Sequence, residues 1–213
     1  MSAALGMAPV AFVLLLVVID PFGLTPMFSA LTAGKTTLER RRIAIRAVII
    51  AGGVIAFFIF GGGWLLDYLG VGMPAFRIAG GVLLFLIAMD LLLVRPSGLS
   101  SATEREQSEA AQRADIAVFP LAIPMIAGPG TLTTVLLLTH DQGVTTNLLI
   151  LGLSLVVLAF TLAMFLFAAR VERMLGETGI NVITRLLGLL LAALAVQFVL
   201  DGLRASLPGL AGG

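Results

Sequence analysis

Six apolar stretches, each close to the length that crosses a bilayer, run through this 213-residue chain. They lie near residues 8–31, 43–66, 75–94, 116–138, 147–169 and 182–203. A membrane-crossing helix needs roughly 20 apolar residues. One soluble core could not hide a composition that is 59% hydrophobic and only 12% charged. We therefore expect an all-α polytopic membrane protein with six transmembrane helices and the lipid bilayer as its solvent.

The composition also excludes several kinds of chemistry. The chain has no cysteine and one histidine, His140, so disulfides, thiolate chemistry and metal sites built from cysteine or histidine clusters are not expected. Its net charge is +1, and the basic residues are spread over short loops, so nucleic acid is not an expected partner. No Lys or Arg precedes Lys35, which is unlike a cleaved signal, so we expect the first span to be retained.

The positive charges fall mainly on alternate connections between the spans. The odd-numbered connections and their flanks contain Lys35, Arg40, Arg41, Arg42, Arg46, Arg95, Arg105, Arg113, Arg170 and Arg173. Only Arg77 and Arg204 fall on the opposite side. Because positive residues favour the cytoplasmic side, we predict that both termini face outward. Trp64 and Tyr68 would then lie at the outer interface.

Two short motifs recur at one spacing. DPFGLT at 20–25 aligns with GPGTLT at 128–133, an offset of 128 − 20 = 108. RIAG at 77–80 aligns with RLLG at 185–188, and 185 − 77 is again 108. Each half contains three spans, an odd number, so the second half would enter the membrane from the other face. The sequence thus predicts two inverted three-helix repeats, an architecture of secondary transporters.

The predicted organisation is one integrated membrane domain with three parts. Residues 1–95 form the first three-helix repeat, 96–115 a cytoplasmic linker, and 116–213 the second three-helix repeat.

The first and fourth spans are interrupted, by DPFGLTP and IPMIAGPG. Asp20 lies near the middle of the first span, where an ionisable group costs roughly 2.5–3.5 kcal/mol. Pro21 and Pro26 disrupt helical hydrogen bonding, and Gly23 permits backbone angles that other residues resist. We predict that this helix is broken mid-membrane and that its second half begins near Pro21, since proline favours the first helical turn.

The fourth span repeats this arrangement, with Pro129 placed to begin a second half-helix. Helix starts carry partial positive charge and bind anions, whereas Asp20 can meet a substrate ammonium, a coupling proton or a sodium ion. The pattern therefore predicts a site for a small zwitterion. The candidate substrate-binding residues are Asp20, Pro21, Gly23, Thr25, Pro26, Gly128, Pro129, Gly130, Thr131 and Thr133. The alternative is a pair of proline kinks that serve only helix packing.

Arg77 and Arg185 are candidates for gating or charge pairing with Asp20 or a substrate carboxylate. Snorkelling of their side chains near the span ends explains them equally well.

At IDPFGLTPMF, FPLAIPMIAGPGTLTTV and ITRLLGLLLAALAVQFVLDGL the sequence resembles the MarC family of bacterial integral membrane proteins, over nearly the whole chain. The resemblance implies six helices in two inverted repeats, a place in the bacterial cytoplasmic (inner) membrane, and transport of small neutral amino acids such as glycine or alanine. The residues in the matching motifs are Asp20, Pro21, Gly23, Pro26, Pro124, Gly128, Pro129 and Gly130, together with Arg77 and Arg185.

The broken spans and the repeat favour a secondary transporter working by alternating access. It would be driven by a proton or sodium gradient, because no GxxxxGK[ST] motif for ATP hydrolysis occurs. An intramembrane enzyme is not expected, because Asp20 and Asp90 lie at different depths and lack GxGD surroundings. The remaining alternatives are a membrane scaffold, a channel, or an exporter of another small metabolite. No cofactor is expected beyond the coupling ion, and a homo-oligomer is left open.

Overall fold

The computed structural model describes residues 2–93, 115–140 and 142–207. Within these ranges the chain forms helices and no strands. The helices are α1 Ser2–Ile19, α2 Pro21–Leu31, α3 Thr37–Tyr68, α4 Met73–Leu93, α5 Ala117–Ile126, α6 Pro129–Thr139, α7 Val144–Leu166 and α8 Ala168–Ser206. The predicted linker lies outside the described residues except for Asp115. Arg95, Arg105 and Arg113 are likewise outside them.

Five helical stretches are long and apolar enough to cross a membrane. They are Gly6–Leu31, which joins α1 and α2, then Thr37–Tyr68, Met73–Leu93, Val144–Leu166 and Thr178–Ser206. A sixth exists if α5 and α6 count as one span, although their axes differ by 52°. The predicted all-helical membrane class is therefore confirmed, with five to six candidate spans in the described part of the chain.

The most extensive helix–helix contact joins α4 to α8. A Cβ atom on Gly81 would lie 2.8 Å from the Ala195 carbonyl oxygen, and one on Gly202 would lie 2.9 Å from the Pro74 carbonyl oxygen. Glycine lets the two backbones approach this closely, as it does between membrane helices generally. Because the start of α4 faces the end of α8, the two helices run antiparallel.

Most of the other contacts also join an element before the linker to one after it. α3 packs mainly on α5, α6 and α7, while α1 packs on α6 and α7. The buried apolar residues from all these helices form one continuous cluster. The two halves of the chain are therefore interleaved around a shared core.

Aromatic side chains hold α2 against α7. Phe28 stacks on Phe165 with ring centroids 4.5 Å apart, and Phe22 meets Phe160 edge-on at 5.7 Å. The Arg40 guanidinium lies 5.6 Å from the Phe28 ring centroid, on the side of α3. Aromatic pairs and cation–π contacts of this kind add to the energy of simple apolar burial. They fix the position of α2 and hence of its first residues, where the candidate site begins.

The helix α8 is kinked near its start. Gly176 has φ 63° and ψ 173°, which kinks the long helix α8 between its first turns and the candidate span Thr178–Ser206. Only glycine adopts such angles at little cost.

Candidate functional site

The break between α1 and α2 is made by Asp20. Its backbone is left-handed, with φ 45° and ψ 67°, a conformation that few residues other than glycine adopt. The Gly23 amide donates a 3.1 Å hydrogen bond to Oδ1 of Asp20, so the aspartate caps α2 in the way short acceptor side chains cap helices. Pro21 follows as the first residue of α2. The carboxyl is buried, with 7% of the residue exposed.

The residues that follow Asp20 show why glycine and proline occur at the break. A Cβ atom on Gly23 would collide with the Asp20 carboxyl group, so a larger residue there would displace the cap. Pro21 has no N–H to give the Val17 carbonyl, which ends the hydrogen-bond ladder of α1. The Thr25 hydroxyl donates a 2.7 Å hydrogen bond to the Pro21 carbonyl, so its donor is satisfied within α2, and its predicted contact with substrate stays a prediction.

The segment before the second break is irregular along most of its length. In α5 the backbone is extended at Phe119 (φ −128°, ψ 126°) and Ile123 (φ −131°, ψ 122°), with cis peptide bonds to Pro120 and Pro124. Proline disfavours helical angles in the residue before it, which accounts for both extended residues. Elsewhere in α5, backbone hydrogen bonds close over five residues instead of four, the π-helical pattern. The irregularity thus begins well upstream of the predicted IPMIAGPG interruption.

The start of α6 differs from the start of α2 in one respect. Gly128 is its extended N-cap residue (φ −82°, ψ 174°), Pro129 is the first helical residue, and no side chain caps the helix. Within the described chain, the amides of Gly130 and Thr131 have no hydrogen-bond partner. A Cβ atom on Gly128 would collide with the Pro124 carbonyl oxygen, so glycine is the residue that fits. The Thr131 hydroxyl donates to the Ile126 carbonyl at 2.9 Å.

The two breaks adjoin each other. A Cβ atom on Gly130 would lie 3.1 Å from Cγ1 of Val18 and 2.6 Å from Cδ1 of Ile87. Val18 is the next-to-last residue of α1 and two residues before Asp20, so the start of α6 packs against the end of α1, close to the first break. A small cavity of about 20 Å³ lies there. It is lined by Val18, Ile87, Pro124, Met125, Gly128, Gly130 and Thr131.

A residue that sequence reasoning missed lies beside Asp20. Thr184 of α8 is 8% exposed, and its hydroxyl is close enough to the Asp20 carboxyl to interact with it. The geometry of a hydrogen bond is not met, so this hydroxyl has no hydrogen-bond partner among the described residues. Thr184 occurs inside the motif ITRLLG, but the repeat comparison pointed to its neighbour Arg185. The equivalent position in the first half is Phe76, which shares no chemistry with threonine.

The two candidate arginines are not joined to the site in this structure. Arg185 is exposed and Arg77 is partly buried. Of the described side chains, neither arginine forms an ion pair with Asp20. Their gating role stays a prediction.

Thr133 packs between α6 and α4. Its methyl group lies so close to Gly80 that a Cβ atom on Gly80 would collide with it.

No group of three or more His, Asp or Glu side chains that could hold a metal ion occurs among the described residues.

Long apolar helices around one buried carboxyl and two interrupted segments define a multi-pass α-helical integral membrane protein. The sequence profile described as "MarC family integral membrane protein" matches residues 7–207. The chain therefore belongs to the MarC family, as the motifs predicted.

Curated relatives extend over almost the full chain. A UPF0056 membrane protein of Aquifex aeolicus is 39% identical over 196 residues, 91% of each chain. YvbG of Bacillus subtilis, another UPF0056 membrane protein, is 38% identical over 92% of this chain and 94% of its own. The UPF0056 inner membrane protein YhgN of Escherichia coli is 35% identical over 93% of this chain and 97% of its own. None of these names states a substrate or an enzymatic activity. No solved structure matches the chain significantly.

Proposed function

We propose that the protein is a secondary transporter that moves small neutral amino acids, such as glycine or alanine, by alternating access. Transport would be coupled to a proton or sodium gradient. One observation carries this proposal: the helix starts at the two breaks, on either side of Val18 and Gly130, have opposite polarity. The start of α2 presents the buried Asp20 carboxyl, and the start of α6 presents the unpaired amides of Gly130 and Thr131.

A zwitterionic amino acid matches this pair of groups. Its ammonium group would face Asp20, and its carboxylate would face the amides at the start of α6, where helix starts favour anions. The cavity at the start of α6 is lined mainly by apolar residues, among them Val18, Ile87 and Pro124. Such walls favour a ligand with a small, uncharged side chain.

The size of the cavity bears on the mechanism. At about 20 Å³ it has room for roughly one water molecule and is too small for any amino acid. Substrate binding in this region would therefore require the two breaks to separate. A transporter that alternates between open and closed forms would make that movement in each cycle.

An inverted repeat would supply the moving parts, and two observations support one. α2 and α6 have the same 108-residue offset as the motifs at both ends, since 129 − 21 = 108 and 139 − 31 = 108. α4 and α8 are the equivalent third spans of the two halves, and they pack antiparallel. Inverted repeats in transporters typically place broken helices around a midplane site.

The same proposal includes the finer topology. The charge bias favours a cytoplasmic linker with both termini outside, and the name of the relative YhgN supports the inner membrane. Arg77 and Arg185 would act, if at all, in another conformation of the cycle. The proposal includes no enzymatic step.

Flux measurements test this proposal. Purified protein in proteoliposomes would be given radiolabelled glycine or alanine under an imposed proton gradient, an imposed sodium gradient, or neither. We expect saturable, gradient-dependent flux that is lost in Asp20→Asn and kept in Thr161→Val, whose hydroxyl in the wild type bonds only to the Val157 carbonyl. Folded protein that moves neither amino acid would contradict the proposal and favour a scaffold or another substrate.

A further inference from the structure

We propose that Thr184 is a specificity-determining residue that makes the site prefer a primary ammonium group. This inference rests on the proposed function and assigns to α8 a part in the substrate site. The hydroxyl of Thr184 and the carboxyl of Asp20 would receive the substrate ammonium together, from two different helices.

The Thr184 hydroxyl is fully enclosed and has no hydrogen-bond partner among the described residues. Helical threonines in apolar surroundings normally donate to the carbonyl four residues earlier. The buried threonines that do so, at 2.7–2.9 Å, are Thr25, Thr32, Thr139 and Thr161. Thr184 does not, although only 8% of the residue is exposed. Thr134 of α6 is the other threonine in the described ranges whose hydroxyl is both fully enclosed and unpartnered.

The position of the Thr184 hydroxyl favours a ligand with hydrogen-bond donors. It lies beside the Asp20 carboxyl, whose Oδ1 already accepts the Gly23 amide. An ammonium group carries N–H donors in three directions, so it could bond to the carboxyl and to the threonine oxygen at once. Charge-assisted hydrogen bonds of this kind are the strong ones. Each methyl group on the nitrogen removes one donor, so a nitrogen with two methyl groups keeps a single N–H and cannot bond to both acceptors. N,N-dimethylated amino acids would therefore fit this pair poorly.

The 108-residue offset shows that the pair formed by Asp20 and Thr184 has no counterpart at the equivalent positions of the repeat. The position equivalent to Thr184 is 184 − 108 = 76, which is Phe76, and the position equivalent to Asp20 is Gly128. Neither can accept an ammonium hydrogen bond from its side chain. The acceptor pair therefore exists once, and the substrate would lie in a single orientation with its nitrogen toward α2 and α8.

Three variants in proteoliposomes test the inference: Thr184→Val, which keeps the shape and removes the hydroxyl, Thr184→Ser, which restores the hydroxyl, and the control Thr161→Val. KM and kcat would be measured for glycine and for N,N-dimethylglycine, which has a single N–H donor. Because a hydrogen bond to a charged group is lost, we expect Thr184→Val to raise the KM for glycine about tenfold or more. Its KM for N,N-dimethylglycine should change far less, and Thr184→Ser should restore most of the preference. Thr161→Val should behave like the wild type.

Each other outcome has a definite meaning. Wild-type flux of glycine with an unchanged KM in folded Thr184→Val would overturn this inference and leave the proposed function intact. A shift in the sodium concentration for half-maximal flux, without a change in the preference for glycine over N,N-dimethylglycine, would overturn it in favour of a coupling-ion site. Absence of saturable flux in the wild type would overturn the proposed function and this inference together.

Discussion

Asp20 combines two structural roles with a negative charge, and two substitutions separate the structural roles from the charge. As a residue in the left-handed region it sets the direction of the chain between α1 and α2, and as an N-cap it accepts the Gly23 amide. Its negative charge is a third property, which the proposed transport uses. Asparagine keeps the first two properties and removes the charge, because it tolerates left-handed angles and caps helices as well as aspartate. Alanine removes all three.

The expected destabilisation follows from those losses. Replacing an Asp cap by Ala costs about 1 kcal/mol, and holding a residue with a Cβ but no local acceptor in the left-handed region costs roughly 1–2 kcal/mol. Asp20→Ala should therefore lose about 2–3 kcal/mol of unfolding free energy, because both effects act at the same residue. Asp20→Asn should unfold close to the wild-type midpoint. Both variants should lose coupled flux.

Reversible unfolding in mixed micelles, followed by circular dichroism, would measure the two free energies beside the wild type. Equal stability of Asp20→Ala and Asp20→Asn would refute the cap and the left-handed turn as structural requirements. Equal and severe destabilisation of both would mean that the charge itself holds the fold, contrary to a role in transport. Either result would mean that the structural roles of Asp20 cannot be separated from the role of its charge in transport.

Two further perturbations concern packing and charge away from the site. Gly188→Leu should destabilise the protein by about 1–3 kcal/mol through overpacking, because a Cβ atom there would lie 2.9 Å from Cβ of Leu91 and 3.1 Å from the Ala88 carbonyl oxygen. Gly53→Ala, which meets nothing within 4 Å, is the matched control and should unfold no earlier than the wild type. The ion pair between Arg46 and Asp115, at 2.8 Å with 60% and 40% of the side chains exposed, should contribute at most about 1 kcal/mol in a double-mutant cycle.

The sequence predicted the span positions to within several residues, because the length and polarity of each apolar run are set by the thickness of a bilayer. It also pointed to helix starts at Pro21 and Pro129, which is where α2 and α6 begin. Proline is informative there because its missing N–H and fixed φ suit a first helical turn. Whether these segments are halves of single broken spans in two inverted repeats stays a prediction.

Other features of the site were not predicted. The pattern of Asp20, Pro21 and Gly23 predicts a break but does not fix the left-handed angle of Asp20, which accompanies its bond to the Gly23 amide. The extended backbone of Phe119 follows from the proline after it, but the predicted interruption began only at Ile123. Thr184 was missed because its importance depends on α8 lying against the start of α2, about 160 residues away in sequence.

The central claim is that substrate lies between the two breaks, at Val18. Because the chain contains no cysteine, a single Val18→Cys variant with intact flux could be labelled by a small, water-soluble thiosulfonate, with Ala33→Cys in the exposed turn after α2 as the control. If substrate occupies this point, saturating glycine should slow labelling at position 18 severalfold and leave labelling at position 33 unchanged. Equal labelling of position 18 with and without glycine, in protein that still transports it, would mean that the substrate binds elsewhere.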